Sequence, residues 1–303
     1  MDVIDWLTAA LGEDVEDVLS VDPAHLDAAR GDHSGWIAEG HPLAIVNART
    51  VEHVQATMRA ASEFRVPVVP RGAGTGLAGG ANATAGSLVL SVARMDRILE
   101  ISTEDQLAVV EPGVVNGDLN VALEPFGLFF APDPASKAIS TVGGNIATNA
   151  GGLLCAKYGV TREAVLGLDV VLADGRFLRT GHRTVKGVTG YDLTSLLVGS
   201  EGTLGVIVGA TVRVLPLPQG EPTTLGALFA DVRAASDAAA RVTAAHLRPA
   251  IMELLDGPAL ERISAHLGEE TIREALGASG ERRTCSSSST GRPPPRTPGG
   301  RAR

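Results

Sequence analysis

Apolar residues recur along the chain in two rhythms. The apolar run "LAIVNA" (43–48) has the length and composition of a buried strand. Directly after it, Val51, Val54, Met58 and Ala61 recur at three- and four-residue spacing, which predicts a helix over 50–65 with Thr50 as its cap. "VPVVP" (66–70) predicts a second strand, and "SLVLSV" (87–92), "ILEIS" (98–102) and "QLAVVEPGV" (106–114) predict three more. A helix follows over 116–126. Beyond a passage rich in Gly, Ala, Asn and Pro (131–153), two alternating runs flank Asp174-Gly175 and predict a hairpin over 164–180. The segment 195–217 predicts two strands around a Ser-Glu-Gly turn. From 222 on, "TTLGALF", a helix near 231–246, "PAIMELLD" and a helix near 257–267 predict a β-α-β-α order that opens another domain. No internal repeat stands out.

Composition narrows the class. A chain of 303 residues with 44% hydrophobic residues and a mean hydropathy of +0.15 suits globular cores and has room for two medium domains. Glycine supplies 36 positions, well above the usual share of roughly 7%, which points to tight turns and close backbone approach to a ligand. A net charge of −9 with only 3% aromatic residues argues against a nucleic-acid groove or stacking platform. Two cysteines, Cys155 and Cys285, make no disulfide framework and fit a reducing cytoplasm, the expected location. No apolar run approaches the roughly 18 residues of a membrane span, and the acidic N-terminus has no basic signal region. The segment 281–303 breaks the pattern, with six Arg against one acid and no aliphatic residue larger than Ala. It reads either as a disordered basic tail or as the out-of-frame end of a longer chain.

The chemistry concentrates in "PVVPRGAGTGLAGG" (67–80), a glycine loop at the end of a strand. A P-loop needs Lys near its last Gly, and no Lys is present in this loop. Gly74-Thr75-Gly76-Leu77-Ala78-Gly79 matches the dinucleotide pattern G-x-G-x-x-G in form. However, "GGANATAGS" follows where an amphipathic helix should open, and Asp96 lies past the end of the next strand, a poor match to the ribose-binding acid. A flavin cradle of another architecture predicts companion segments of small residues, and the chain has two: "PDPASKAISTVGGNIATNAGG" (132–152) and "GSEGTLGVIVGATVRVLP" (199–216).

These segments, together with "VKGVTGYDL", resemble the FAD-linked oxidase family over about residues 20–270. The likeness is greatest to its glycolate oxidase, D-lactate and D-2-hydroxyglutarate dehydrogenase branch. The resemblance implies an α+β chain with a PCMH-type, vanillyl-alcohol-oxidase-like FAD-binding fold of two α/β subdomains (about 20–130 and 131–219, in a domain over 1–219). A partial ferredoxin-like cap over 220–280 and the tail at 281–303 would follow. By position, Pro70, Arg71, Gly72, Ala73, Gly74, Thr75, Gly76 and Leu77 would bind the pyrophosphate. Pro132, Asp133, Ser136, Thr141, Gly143, Gly144, Asn145, Thr148, Asn149 and Gly151 would line the middle of the cofactor. Glu201, Gly202, Gly205, Val206 and Ile207 would complete the adenine side. Some relatives tether flavin through a His shortly after the Arg-Gly. Thr75 occupies that region here, so FAD is expected to bind noncovalently.

The implied reaction is oxidation of a small 2-hydroxy acid, with room for partner electron-transfer subunits. The family's H-x-G-D-G-N-x-H-like catalytic and metal segment has no counterpart in this sequence, so no metal ligands are expected. Lys186, Tyr191 and Asp192 are the local candidates for active-site polar groups, with a turn and a helix-capping Asp as the structural alternative. His25, His33 and His41 read as loop and surface residues, and Cys155 as a packed small residue. A flavin-binding fragment or subunit with little activity of its own is the second functional class. A cell-wall-precursor type of reductase on the same flavin fold is the third.

Overall fold

A computed structural model describes residues 1–184 and 186–268. The chain begins with α1 (Val3–Leu11), which Asp2 caps by accepting from the Ile4 and Asp5 amides while the Asp5 side chain returns to the Asp2 amide. Val3, Leu7 and Leu11 form its buried stripe. A 3₁₀ turn (Gly12–Asp14), α2 (Val15–Val18), β1 (Leu19–Ser20) and α3 (Pro23–Ala28) lead to β2 (Ala44–Asn47). The amphipathic helix predicted after it is α4 (Val51–Phe64), capped by Thr50, with Val54, Met58 and Ala61 buried. β3 (Val68–Arg71) and β4 (Leu88–Ser91) complete a four-stranded sheet of order β1-β2-β4-β3. Its β2, β4 and β3 run parallel, and β1 is antiparallel at the edge.

The remaining elements are β5 (Ile98–Ser102), β6 (Leu107–Val110), α5 (Asn116–Leu123), β7 (Leu128–Phe129), α6 (Val142–Ala147), α7 (Cys155–Tyr158), α8 (Thr161–Ala164), β8 (Val165–Val171), β9 (Phe177–Gly181), α9 (Leu193–Leu197), β10 (Val206–Arg213) and β11 (Leu215–Pro216). Five of them form an antiparallel sheet of order β5-β6-β10-β8-β9, and β7 pairs with β11. The break between the two sheets falls between Ser91 and Ile98, ahead of residue 130, because β5 and β6 pair into the second sheet. The β8–β9 hairpin closes through Asp174-Gly175, as its turn residues predict.

β10 explains why "VIVGATV" is apolar without alternation. Val206 and Val208 join one core cluster with α1, α4 and the parallel sheet, while Ile207, Ala210 and Val212 join another with α5 and α6. A strand with both faces covered reads as a continuous apolar run.

Two expectations are corrected. Residues 195–197, where a strand was expected to begin, belong to the helix α9, because Asp192 accepts from the Ser195 amide at 2.9 Å and so caps a helical turn. The strands expected at "TTLGALF" and "PAIMELLD" are absent among the described residues. A strand needs a hydrogen-bonding neighbour, and neither segment has one among the described residues.

The described residues divide into two units, 1–221 with 239–253, and 222–238 with 254–268. The later helices are α10 (Val232–Ala244) and α11 (Gly257–Leu267), the second capped by Asp256 at the Ala259 amide. The expectation for 281–303 lies outside the described residues.

Candidate cofactor site

The C-terminal end of β3, helix α6 and the start of β10 converge on a cavity of about 880 Å³. Its first wall is the glycine loop. Among the described residues, no backbone amide from Gly72 to Ala78 donates to another backbone carbonyl, although all of these residues line the cavity. Unpaired amides at a concave surface form a neutral cradle for an anion. The loop wraps the Arg71 side chain, whose guanidinium donates to the carbonyls of Ala81 (2.7 Å), Gly31 (2.8 Å) and Ala29 (3.4 Å). Burial lowers the Arg71 pKa from its ordinary value, and the nearby Asp32 charge opposes that shift. Burial pushes the Asp32 carboxyl up, but hydrogen bonds led by those from Ser34 outweigh it and hold the carboxyl below its usual range.

The second wall is α6. Thr141 caps it by accepting from the Gly144 amide at 3.2 Å. Gly72 stands so close that a Cβ there would lie 2.5 Å from the Thr141 hydroxyl, which makes this contact between the first two walls possible only for glycine. Asn145 is 3% exposed and lines the cavity, and its side-chain Nδ2 has no hydrogen-bond partner in the protein. The third wall is the turn before β10. Gly202 adopts φ +81 and packs on Pro70, while Glu201 holds a left-handed backbone (φ 50) with its amide donating to Ala147 at 2.9 Å. The Glu201 carboxylate reaches Gly80. His33, Arg71 and Glu201 are the only titratable side chains among the lining residues.

The structure gathers every residue expected around the cofactor onto this one cavity, except Pro132 and Asp133. Those two are not among its lining residues. The Asp133 carboxylate accepts from the Leu154 amide at 2.9 Å, and the Pro132 carbonyl accepts from Asn116 Nδ2 at 3.0 Å, so both fix loops. Lys186, Tyr191 and Asp192 also lie outside the cavity lining. Tyr191 is 95% exposed, and Asp192 is the cap of α9. Among the lining residues that sequence reasoning missed are His33, Gly80, Val92 and Pro112. The signal available for Gly80 was its place in the glycine loop. His33 is an exposed loop residue, as expected, yet it borders the cavity.

The cavity fits an extended anionic cofactor on two observations. A run of unpaired amides awaits an acceptor, and a buried amide nitrogen on Asn145 awaits a second one. Among the described residues, no three His, Cys, Asp or Glu side chains converge as a metal site, and no helix is long and apolar enough to cross a membrane.

Comparison with known proteins bears on this cavity. Residues 42–181 match the family described as FAD binding domain, and residues 219–290 match FAD linked oxidases, C-terminal domain. The glycolate oxidase subunit GlcD of Bacillus subtilis is 48% identical over 237 residues, which is 78% of this chain and 50% of that protein. A D-lactate dehydrogenase of Anaerostipes hadrus is 40% identical over 188 residues, 62% of this chain and 39% of that protein. The chain thus spans about half the length of the curated relatives it matches, or less. The crystal structure of p-cresol methylhydroxylase with substrate bound superposes with a TM-score of 0.63 at 24% identity, over 72% of this chain and 44% of that one, and so shares its fold.

Proposed function

The chain belongs to the FAD-linked oxidase family with FAD as its cofactor, and on that premise we propose that the cavity of the first unit holds FAD noncovalently in an oxidoreductase acting on small 2-hydroxy acids. The observation that carries the reading is the run of unpaired amides from Gly72 to Ala78 in the cavity wall. Those amides would take the pyrophosphate, and Asn145 Nδ2 would donate to an acceptor further along the cofactor. Ser136, Thr141, Thr148 and Asn149 would offer polar edges along the middle, while Gly202, Gly205, Val206 and Ile207 would border the adenine side. Thr75 stands where some relatives carry a tethering His, and its hydroxyl cannot make that ring linkage.

When bound, FAD would supply a two-electron oxidation of the substrate's C2–H. The residues of this chain would bind and orient it. They would hold its phosphates on neutral amides and exclude water with Val92, Val206 and Ile207. The GlcD and D-lactate dehydrogenase relatives, with a D-2-hydroxyglutarate dehydrogenase of Stutzerimonas stutzeri, support a substrate of the glycolate, D-lactate or D-2-hydroxyglutarate type. The name of the first as a subunit supports partner subunits for the whole protein, and electron transfer is the role we propose for them.

A second reading, a flavin-binding unit with little activity of its own, is favoured by one observation. The cavity offers only His33, Arg71 and Glu201 as titratable groups, and Lys186, Tyr191 and Asp192 lie outside it. One experiment separates the two. The purified chain is reconstituted with FAD, its visible spectrum recorded, and glycolate, D-lactate and D-2-hydroxyglutarate added without oxygen. Bleaching by one of them supports the oxidoreductase, and a stable yellow protein supports the binding unit. Failure to retain FAD overturns both. Acid precipitation should release the flavin into the supernatant, and flavin that stays with the pellet would refute noncovalent binding.

A further inference from the structure

Arg71 invites assignment as the cation that meets the cofactor's phosphates, yet its guanidinium is already occupied. Nη1 donates to the carbonyls of Ala81 and Ala29, and Nη2 to that of Gly31. These acceptors come from two distant segments, so one side chain ties the end of β3 to residues 29–31 and to the far side of its own loop. The loop is built around this group. A Cβ on Gly74 would lie 2.8 Å from the guanidinium carbon, so the backbone at Gly74 rests directly on it. No amide from Gly72 to Ala78 bonds to a backbone carbonyl among the described residues, so the loop has no backbone ladder of its own to fix its shape.

We propose that Arg71 is the internal template of the glycine loop, holding it in its ligand-ready shape before FAD arrives and contributing no direct charge contact to the phosphates. The FAD-binding arm of the test rests on the function proposed above, whereas the arm on the FAD-free protein does not. A planar fork matches several carbonyls at once, and a point-like ammonium does not, so Lys is a poor substitute.

The test uses the whole chain as wild type, Arg71→Ala and Arg71→Lys. Without FAD, hydrogen exchange is followed at the Asn82 and Ala83 amides, which close the loop onto Gly79 and Ala29. Proteolytic cleavage is followed at Leu77, which is 80% exposed. Both variants should exchange and be cleaved roughly tenfold faster or more, while amides of β2 and β4 stay protected. FAD affinity should fall roughly tenfold or more in both variants, with the same dependence on NaCl as wild type. Free guanidinium should restore Arg71→Ala, and methylammonium should not. Unchanged exchange and cleavage in the variants would overturn the template role. So would an affinity that Lys restores together with its salt dependence, since Arg71 would then be a phosphate cation. If Arg71→Ala does not fold, Arg71→Lys carries both readouts. If wild type binds no FAD, the proposed function fails, and the exchange arm still decides the role of Arg71.

Discussion

Replacing Asn145 by Leu should move stability and cofactor affinity in opposite directions. Asn145 sits inside α6 with its Nδ2 buried and unpartnered. A buried donor without an acceptor costs about 1–3 kcal/mol, and Leu, which keeps the branching at Cγ without any polar atom and can extend its larger methyl groups into the adjoining cavity, removes that cost. Leu also favours a helix over Asn by roughly half a kcal/mol. The FAD-free variant should therefore be about 1–3 kcal/mol more stable, a rise in Tm of roughly 2–10 °C for a unit of this size. FAD, which would supply the missing acceptor, should bind more weakly by about 1–3 kcal/mol, or roughly 5- to 150-fold. Differential scanning calorimetry of the FAD-free protein and isothermal titration with FAD read the two quantities separately. A variant that is less stable without FAD and binds FAD as well as wild type would refute the reasoning, because Nδ2 would then be satisfied within the protein.

Three further outcomes follow from the same geometry. Gly202→Ala places a Cβ 2.7 Å from the Pro70 ring at φ +81, and should destabilise the chain by about 1–3 kcal/mol in chemical denaturation. A midpoint equal to wild type would contradict it. Asp133→Ala removes the acceptor of the Leu154 amide, outside the cavity lining. It should lower thermal stability by about 1–3 kcal/mol while changing FAD affinity less than about tenfold, and a larger affinity loss would place Asp133 at the cofactor. The carboxyls of Glu52, Glu100, Asp174 and Asp192 all lie below their ordinary values, held there respectively by the Glu52 amide, the Arg183 guanidinium, the Arg176 amide and the Ser195 hydroxyl. Being more acidic when folded, they leave the unfolded chain binding more protons. Their contribution is complete above about pH 5 and is lost as the pH falls below about 4.5, so Tm should drop in that window, and a flat or rising Tm would refute the assignment.

Much of this was legible in the chain because small residues and periodicity report local geometry. Val54, Met58 and Ala61 announced the buried face of α4, and Asp174-Gly175 announced the β8–β9 turn. The glycine-rich segments were legible as one site because they allow backbones to touch, as Gly72 and Thr141 do. What escaped depends on partners remote in sequence. Nothing near Arg71 indicates that the carbonyls of Ala29 and Gly31 claim its guanidinium, and nothing near Asp133 points to Leu154. "SLLV" suits a strand or a helical turn equally, and the Asp192 cap decides for the helix. Strand propensity in "TTLGALF" and "PAIMELLD" came to nothing without a neighbouring strand among the described residues.

β10 has one more consequence. Its successive side chains serve as mortar for two different cores, with Val206 and Val208 in one and Ile207 and Ala210 in the other. Neither core can melt without exposing the far side of the same strand. The two sheets should therefore unfold as one cooperative block, and their slowest-exchanging amides should coincide on β10. Since Gly205, Val206 and Ile207 also border the cavity, a ligand there would grip the strand that both cores share, so a single occupant could raise the melting temperature of the whole block.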